Sequence, residues 1–286
     1  MSLDATSPAA PGLHRTRLPT RAVLAVGGPD ARAFLQGLLT NSVTAVTPDR
    51  PVWAGLLSPQ GKCLFDLMVF DDGAGGLLVD ADASRLADLT RRLTMYRLRA
   101  AVTLTPRPDL AVFAAWGDGT PPAGAQPDPR LPALGWRWIA AANDTASTAT
   151  PEAYRRHRWR LGVPEGAAEV GVDALLWLET NAGELNGVDF RKGCYVGQEN
   201  TARMHFRNKV RKRLLPLDLP GAASGDELGD DTVIRSGDGK PAGDLVARDG
   251  DLGLALMRME YVEDGAALTL GGQPVTVRRP DYLAAG

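Results

Sequence analysis

The chain has 286 residues and a formal net charge of -2, from 32 basic and 34 acidic residues. It contains only two cysteines, three histidines and five lysines, which excludes a self-contained zinc site and a disulfide framework. The balanced charge argues against a globally basic nucleic-acid-binding protein. The length predicts about two domains. Residues 1–19 lack a signal-peptide pattern, and no run approaches the ~18 apolar residues that cross a bilayer. We therefore expect a cytoplasmic protein without membrane contact.

The first part of the chain predicts an α+β unit with an antiparallel sheet. Residues 1–20 are small and polar and predict an extended arm that leads into a first strand over 22–26. Asp30 is a candidate N-cap for a helix that ends by Asn41. The pattern then predicts strands over 52–57, 63–70 and 76–79, a helix over 83–95 and a strand over 101–104.

The second part of the chain predicts loops and helices before an all-β end. Five prolines between positions 118 and 132 indicate a surface loop, and Pro151 stands where a charged helix begins. Residues 172–178 form another candidate helix. Beyond residue 214, short β-like runs over 214–217, 232–234, 252–257, 267–270 and 275–278 alternate with Gly/Asp turns. They predict a small β-barrel or sandwich as a separate C-terminal domain.

Charge is distributed unevenly near the end of the chain. Residues 191–213 hold eight basic residues and one acidic residue, whereas residues 214–264 hold twelve acidic and four basic residues. One interpretation is a solvated basic linker that faces an acidic domain. The other is a site for an anionic ligand such as a polyglutamate tail or RNA phosphate.

Local chemistry, rather than apolar periodicity, characterises residues 179–199. The segment contains four glycines and places Cys194 beside Arg191 and Lys192, whose positive charges stabilise a thiolate. A cysteine is also commonly a small buried hydrophobe, and that interpretation is the one favoured for Cys63 in its β-like run. His205 is the best candidate for a Cys-His pair, although it equally suits a phosphate contact or a plain surface position.

The residues Lys-Gly-Cys-Tyr-Val-Gly-Gln-Glu at 192–199, followed by Thr-Ala-Arg, resemble the K-G-C-Y-x-G-Q-E signature of the YgfZ family. That family comprises folate-binding relatives of the glycine-cleavage T-protein. Residues 34–41 (FLQGLLTN) and 56–66 (LLSPQGKCLFD) are similar to two further stretches of the family. The resemblance covers most of the chain, roughly residues 23–258, and is least distinctive in the C-terminal part.

The resemblance implies a three-domain α+β architecture with ferredoxin-like antiparallel sheets and a C-terminal β-barrel around a folate pocket. The expected division is a discontinuous folate-binding domain (1–50 and 106–210), a ferredoxin-like unit (51–105) and the barrel (211–286). The implied function is tetrahydrofolate-dependent assembly or repair of iron–sulfur enzymes, including one that methylthiolates tRNA. Expected partners are iron–sulfur client enzymes, assembly proteins and, indirectly, tRNA.

The resemblance also implies roles for individual residues. Cys194 is the residue carried over for activity, with Lys192 beside it. A pterin presents N–H groups that one buried carboxylate can accept, and Glu179 and Asp66 are both candidates. Phe190, Trp177 or Tyr195 would pack on the p-aminobenzoate ring, and Arg203 or Arg207 would bind the glutamate tail. The predicted folate contacts are Glu179, Asp66, Tyr195, Gln198, Glu199 and Arg203.

Three functional hypotheses stay open. Aminomethyl-transferring T-proteins have two consecutive acidic residues in the hairpin where this chain has Phe65 and Asp66, so an accessory folate-binding factor is favoured over a T-protein-like aminomethyltransferase. An RNA-binding module rests only on the basic run over 203–213. Clusters are commonly held by four thiolates, and Cys194 alone cannot hold one, so we expect a monomer that shares or transfers sulfur species with a partner.

Overall fold

The computed structural model describes residues 12–207, 210–219 and 232–283. Its first elements are β1 (Leu13–Arg17), β2 (Arg21–Gly27), α1 (Ala31–Gln36), β3 (Val52–Leu57), β4 (Cys63–Asp71), β5 (Leu77–Asp82), α2 (Leu86–Arg97) and β6 (Thr103–Pro106). Five of these strands form an antiparallel sheet in the order β3-β4-β5-β2-β6. Helices α1 and α2 pack against one face of it through apolar residues such as Leu35 and Leu89.

The β3–β4 hairpin is buried on both faces of this sheet. Every residue of β3 and the first eight of β4 are buried. Leu56 and Leu67 face the core beneath α1, whereas Trp53 and Met68 face a second core that contains Trp177. Because both faces are covered, the buried parts of the two strands are apolar without polar alternation, apart from Asp66 in β4. The strands predicted over 52–57 and 63–70 are thereby confirmed.

A second antiparallel sheet follows in the chain and has the order β1-β7-β9-β8. The elements of this region are β7 (Leu110–Gly117), β8 (Gln126–Pro127), β9 (Trp136–Ala141), α3 (Pro151–Arg160), α4 (Ala167–Val170) and α5 (Gln198–Phe206). The prediction of an arm over 1–20 is wrong for residues 13–17, since all five pair with β7. The earlier part of that arm, residues 1–11, lies outside the described residues.

The C-terminal part closes into a barrel with the order β10-β13-β12-β11-β14-β15. Its elements are β10 (Lys212–Asp218), β11 (Val233–Ser236), β12 (Pro241–Asp249), β13 (Leu252–Arg258), α6 (Met259–Glu263), β14 (Leu268–Leu270) and β15 (Gln273–Val277). Strand β12 was not predicted, because Pro241, Gly243 and three charged residues mask its apolar positions. The predicted antiparallel sheets and C-terminal β-barrel are confirmed.

Short 3₁₀ turns complete the described structure, at Val43–Ala45, Ala83–Arg85, Pro132–Leu134, Trp177–Thr180 and Asp281–Leu283. The helix predicted over 172–178 is wrong. Its backbone pairs with the start of β4 instead, since the Cys63 N–H donates to the Leu175 carbonyl and the Asp173 N–H donates to the Cys63 carbonyl. Asp173 has a φ of 52°, which an α-helix does not permit.

Two further local predictions need correction. Asp30 does precede α1, but its carboxylate accepts a hydrogen bond from the Ala101 N–H at 2.7 Å and makes no cap bond to the helix. The surface loop predicted over 118–132 turns inward at its end, where Asp128 and Arg130 are 3% and 1% exposed. Their mutual ion pair at 2.7 Å makes this burial tolerable.

Strand β2 belongs to the sheet that residues 52–106 form, since it pairs with β5 on one side and β6 on the other. It also contacts the following segment, where the Arg107 N–H donates to the Val23 carbonyl. Helix α1 packs on the same sheet. In the part of the chain that the structure describes, the helices are too short or too polar for any of them to cross a membrane.

Candidate functional site

The 192–199 motif forms a loop between two hydrophobic cores and ends in helix α5. Val196 packs against the core beneath α1, and the buried Tyr195 belongs to the core of Trp53 and Trp177. Cys194 lies between these anchored neighbours and the exposed Gly193, and it is itself exposed. The loop therefore presents a thiol to solvent from a backbone that is fixed on its C-terminal side.

Gly197 packs the motif against the β3–β4 turn. Its φ is +83°, and a Cβ atom at this position would lie 2.5 Å from the Ser58 carbonyl oxygen. The Asn200 side-chain amide donates to the Gln60 carbonyl at 2.9 Å, which ties the first turn of α5 to the same hairpin. Glycine is required at 197 because a side chain would force the helix and the hairpin turn apart.

Lys192 anchors the loop to the end of α1. Its ammonium donates to the carbonyl oxygens of Gln36 (2.7 Å), Leu39 (2.5 Å) and Asn41 (2.9 Å). Burial lowers the pKa of Lys192 to about 8, whereas the charge of Asp189 acts to raise it. The three carbonyl oxygens likewise favour the charged form. Besides the role predicted for it beside the thiol, Lys192 therefore holds the motif loop against the backbone at and after the end of α1.

The two cysteines occupy opposite environments. Cys63, the first residue of β4, is fully buried, and burial raises the pKa of its thiol well above the ordinary value. Cys194 is the exposed member of the pair. Because the thiolate is the reactive and metal-binding form, Cys194 is the thiol that is available for chemistry.

Glu179 lies in the 3₁₀ turn at Trp177–Thr180. Its Oε2 accepts a hydrogen bond from the Leu176 N–H at 2.9 Å, and its other oxygen accepts none from the described residues. Burial raises the pKa of Glu179, against the lowering effects of that hydrogen bond and of Lys212 and Lys62. A half-buried carboxylate with one free oxygen suits the pterin-binding role predicted for it.

Asp66 differs from Glu179, because both oxygens of its carboxylate already accept hydrogen bonds within the protein. Its Oδ2 accepts from the Arg21 guanidinium at 3.1 Å, and its Oδ1 accepts from the Gly166 N–H at 3.2 Å. Asp66 is 3% exposed, and the cavity beside it measures about 10 Å³, which is too small for a pterin. Of the two candidate carboxylates, Glu179 is therefore the one with an oxygen that no described residue engages.

The other predicted folate contacts lie on or beside α5. The Tyr195 phenol is buried against Thr201, and burial raises its pKa to about 12. Gln198 and Glu199 form the first turn of the helix. The exposed Arg203 donates to the Asn200 side chain at 3.0 Å. None of these residues lines the two cavities of about 780 and 470 Å³ that described residues form elsewhere.

Of the aromatic residues predicted to pack on the p-aminobenzoate ring, Trp177 lies in the core and Phe190 lies nearer the surface. Trp177 is fully buried and packs against Trp53 with 4.7 Å between ring centroids and an interplanar angle of 47°. Its indole N–H donates to the Gly187 carbonyl. Phe190 instead stacks on His205, with 3.6 Å between ring centroids. The exposed Phe206 packs edge-on against both rings. His205 is thereby engaged with aromatic neighbours at the surface, and this grouping was not predicted.

A buried ion-pair network joins the two sheets and was also not predicted. Its members are less than 9% exposed: Arg21, Arg130, Arg137, Arg158, Asp66, Asp80, Asp128, Glu165 and Glu169. Glu165 contacts Arg130 at 2.9 Å and Arg137 at 2.5 Å. Burial acts to raise the pKa of Glu165, but the surrounding arginines outweigh it and hold the pKa well below the ordinary value. The sequence feature that could have indicated this network is the presence of arginines within otherwise apolar segments.

The described residues contain no group of three His, Cys, Asp or Glu side chains that could hold a metal ion.

Comparison with known proteins shows similarity in the C-terminal barrel and in the whole fold. Residues 211–285 match the family described as CAF17, C-terminal beta-barrel domain. The fold is similar to that of glycine cleavage system aminomethyltransferase T from Bartonella henselae, with a TM-score of 0.69 and 11% identity over 95% of this chain and 86% of that one. The predicted T-protein-like architecture is confirmed by this likeness.

Two similar relatives are the human and mouse proteins named iron-sulfur cluster assembly factor IBA57, mitochondrial. The human protein (Homo sapiens) is 34% identical over 281 residues, and the mouse protein (Mus musculus) is 33% identical over 279 residues. Each alignment covers 86% of this chain and 78% of the relative. A T-protein-like fold, a matching barrel and this level of identity together show that the chain belongs to the IBA57 family of iron-sulfur cluster assembly factors.

Proposed function

We propose that this chain is an accessory factor for iron–sulfur cluster assembly that supplies the Cys194 thiolate to a cluster held jointly with a partner protein. The observation that carries the proposal is the exposure of Cys194 on a loop fixed by Lys192, Tyr195 and Gly197. The relatives named as iron-sulfur cluster assembly factors support the same function.

The partner is required by the ligand count. Protein-bound clusters are commonly held by four thiolates. Cys63 is fully buried in β4 and cannot reach a cluster shared at the surface. The cluster is thus a cargo to which this chain adds one ligand, while an assembly protein or client enzyme supplies the others.

The test is a mixing experiment with a cluster-loaded iron–sulfur carrier protein. Wild-type chain is expected to form a complex with the carrier that retains the visible absorption of the cluster during gel filtration. Cys194→Ser removes the thiolate and is expected to abolish the cluster-containing complex. Cys63→Ala is the matched control, since it removes the other thiol and leaves the shared ligand in place.

Two results would contradict the proposal. One is a cluster-containing complex formed equally well by Cys194→Ser. The other is loss of the complex in Cys63→Ala at an unchanged melting temperature, which would assign the chemistry to the buried thiol.

Tetrahydrofolate is the proposed small-molecule ligand, with Glu179 as the carboxylate that reads the pterin. Tetrahydrofolate would accept a one-carbon unit, or a one-carbon derivative of it would donate one, and the protein residues would orient the pterin and bind its tail. Calorimetry with tetrahydrofolate is expected to show binding that Glu179→Gln weakens and that Glu184→Gln leaves unchanged. Equal binding by both variants would remove Glu179 from this role.

The finer parts of the proposal concern clients and compartment. Client enzymes, among them a tRNA-methylthiolating enzyme, would receive the cluster, and the chain would act as a monomer in the cytoplasm. The mammalian relatives are named as mitochondrial proteins, so fractionation of the source cells decides the compartment. The aminomethyltransferase alternative predicts methylenetetrahydrofolate formation from an aminomethylated carrier. The engaged carboxylate of Asp66 makes us expect none.

A further inference from the structure

A cavity of about 780 Å³ lies where the barrel meets the loop that precedes the 192–199 motif. Its walls are the start of β10, the end of β13, helix α6, the turn at Asp281–Leu283 and Glu184. Neither Cys194 nor any predicted folate contact lines it. A volume of this size is in the range of small-molecule sites.

Cations predominate on the cavity wall. The charged lining residues are Arg211, Lys212, Arg213, Arg258 and Arg279, against Glu184, Glu260 and Glu263. Acidic residues outnumber basic ones by twelve to four across residues 214–264. The wall of the cavity therefore has the opposite sign from the sequence that forms most of the barrel, and it favours anions.

Only part of this positive charge is used within the protein. Arg213 pairs with Glu184 at 2.7 Å, and Arg279 donates to the Leu283 carbonyl at 2.7 Å. The side chains of Arg211, Lys212 and Arg258 form no hydrogen bond or ion pair with any residue that the structure describes. Three cations at the cavity thus keep their hydrogen-bond donors available for a ligand.

Two of these cations also oppose each other in the barrel. In the antiparallel register of β10 and β13, Lys212 is paired directly with Arg258. Residues paired in this way project from the same face of a sheet, and like charges at such positions are destabilising. An anion bound between them would convert the repulsion into two attractive contacts.

We propose that this cavity binds a small organic polyanion, with Arg211, Lys212 and Arg258 contacting its charged groups. Guanidinium and ammonium groups form strong charge-assisted hydrogen bonds with phosphates and carboxylates. Met259, Tyr282 and Leu283 line the same cavity and would pack against the uncharged part of the ligand. The chemistry that the site recognises is a set of clustered oxyanions on one compact molecule.

Calorimetry with inorganic tripolyphosphate and, separately, with citrate tests the proposal and distinguishes phosphate from carboxylate ligands. Saturable binding of either probe is expected, and Arg258→Gln should weaken it by about tenfold or more. Arg211→Gln, outside the β10–β13 ladder, should weaken it similarly without touching strand pairing. Arg235→Gln is the control, because it removes an exposed barrel arginine that does not line the cavity.

The melting temperature of the ligand-free variant is a second readout. If Arg258 only stabilised the barrel, its removal would lower the melting temperature. Without ligand, Arg258→Gln relieves the repulsion from Lys212 and should raise the melting temperature by about 1–3 °C. The proposal is overturned by the absence of saturable binding of both probes. It is also overturned by equal weakening in Arg235→Gln, or by a melting temperature that falls in ligand-free Arg258→Gln.

Discussion

Within the 192–199 motif, one residue is exposed for chemistry while its neighbours hold the loop in place. Cys194 is exposed, whereas Lys192 and Tyr195 are directed into the protein, with 5.4 Å between the ammonium and the phenol ring centroid. The motif prediction placed Lys192 and Cys194 together as active residues. It could not show the carbonyl partners of Lys192, because these lie more than 150 positions earlier in the chain.

Thiol labelling should separate the two cysteines. Iodoacetamide is expected to alkylate Cys194 in the folded protein, because that side chain is exposed. Cys63 is expected to react only when the chain unfolds, since burial blocks access and raises its pKa. Mass spectrometry with and without urea measures both rates. Rapid labelling of Cys63 in the folded protein would contradict the buried environment of β4.

Lys192→Gln tests the structural duty of this lysine. The change removes charge-assisted hydrogen bonds to three carbonyl oxygens at the end of α1, so the free energy of unfolding should fall by about 1–3 kcal/mol. Urea unfolding measures the change. Lys240→Gln is the control, because its ion pair with Asp238 is exposed to solvent and contributes little to stability. Equal stability of the two variants would remove the anchoring role of Lys192.

At the scale of elements, the β3–β4 hairpin and helix α5 form one unit that supports the motif. Both strands of the hairpin were predicted, and Pro59 and Gly61 lie in the turn that joins them. Helix α5 was not predicted, because the glycines and polar residues around Cys194 obscure its periodicity. Contact between these elements depends on close backbone approach at Gly197, which a sequence pattern does not reveal.

Two glycines on either side of Cys194 provide a matched test. Gly197→Ala places a Cβ atom 2.5 Å from the Ser58 carbonyl oxygen at a φ of +83°. It should therefore destabilise the fold by about 1–3 kcal/mol. Gly193→Ala meets no atom within 4 Å and has no positive φ, so it should leave stability nearly unchanged. Urea unfolding of both variants checks this, and equal losses would mean that the hairpin contact does not fix the motif.

At the scale of the whole molecule, the chain's apolar patterning was more informative than its charges. Strands β3 and β4 and the barrel were predicted because continuous or regularly spaced apolar runs mark them. Helix 172–178 was predicted wrongly because the backbone of this segment forms hydrogen bonds with Cys63 at the start of β4 and not along a helix. The partners of Asp66 were hidden for a different reason. Arg21 lies 45 positions away and Gly166 lies 100 positions away, so only the folded chain brings them together.

The buried network makes the stability of the whole molecule depend on pH. Burial acts to raise the pKa of Glu165, but Arg137, Arg158 and Arg130 hold it well below the ordinary value of 4.5. A folded-state pKa below the unfolded one stabilises the protein above that ordinary value, and this stabilisation is lost as the pH falls toward the folded pKa. Acid should therefore weaken the contact between the two sheets.

Glu165→Gln should lower the free energy of unfolding by about 3–5 kcal/mol at pH 7, because it leaves buried arginines without their shared carboxylate. The difference from wild type should shrink at low pH, where the wild-type carboxyl group is protonated as well. Urea unfolding across a pH series measures both effects. The exposed Glu152→Gln is the control, with an expected change below about 1 kcal/mol at every pH. A constant difference between Glu165→Gln and wild type down to acid unfolding would show that Glu165 does not titrate within the network, and the pH dependence would then belong to the other buried carboxylates.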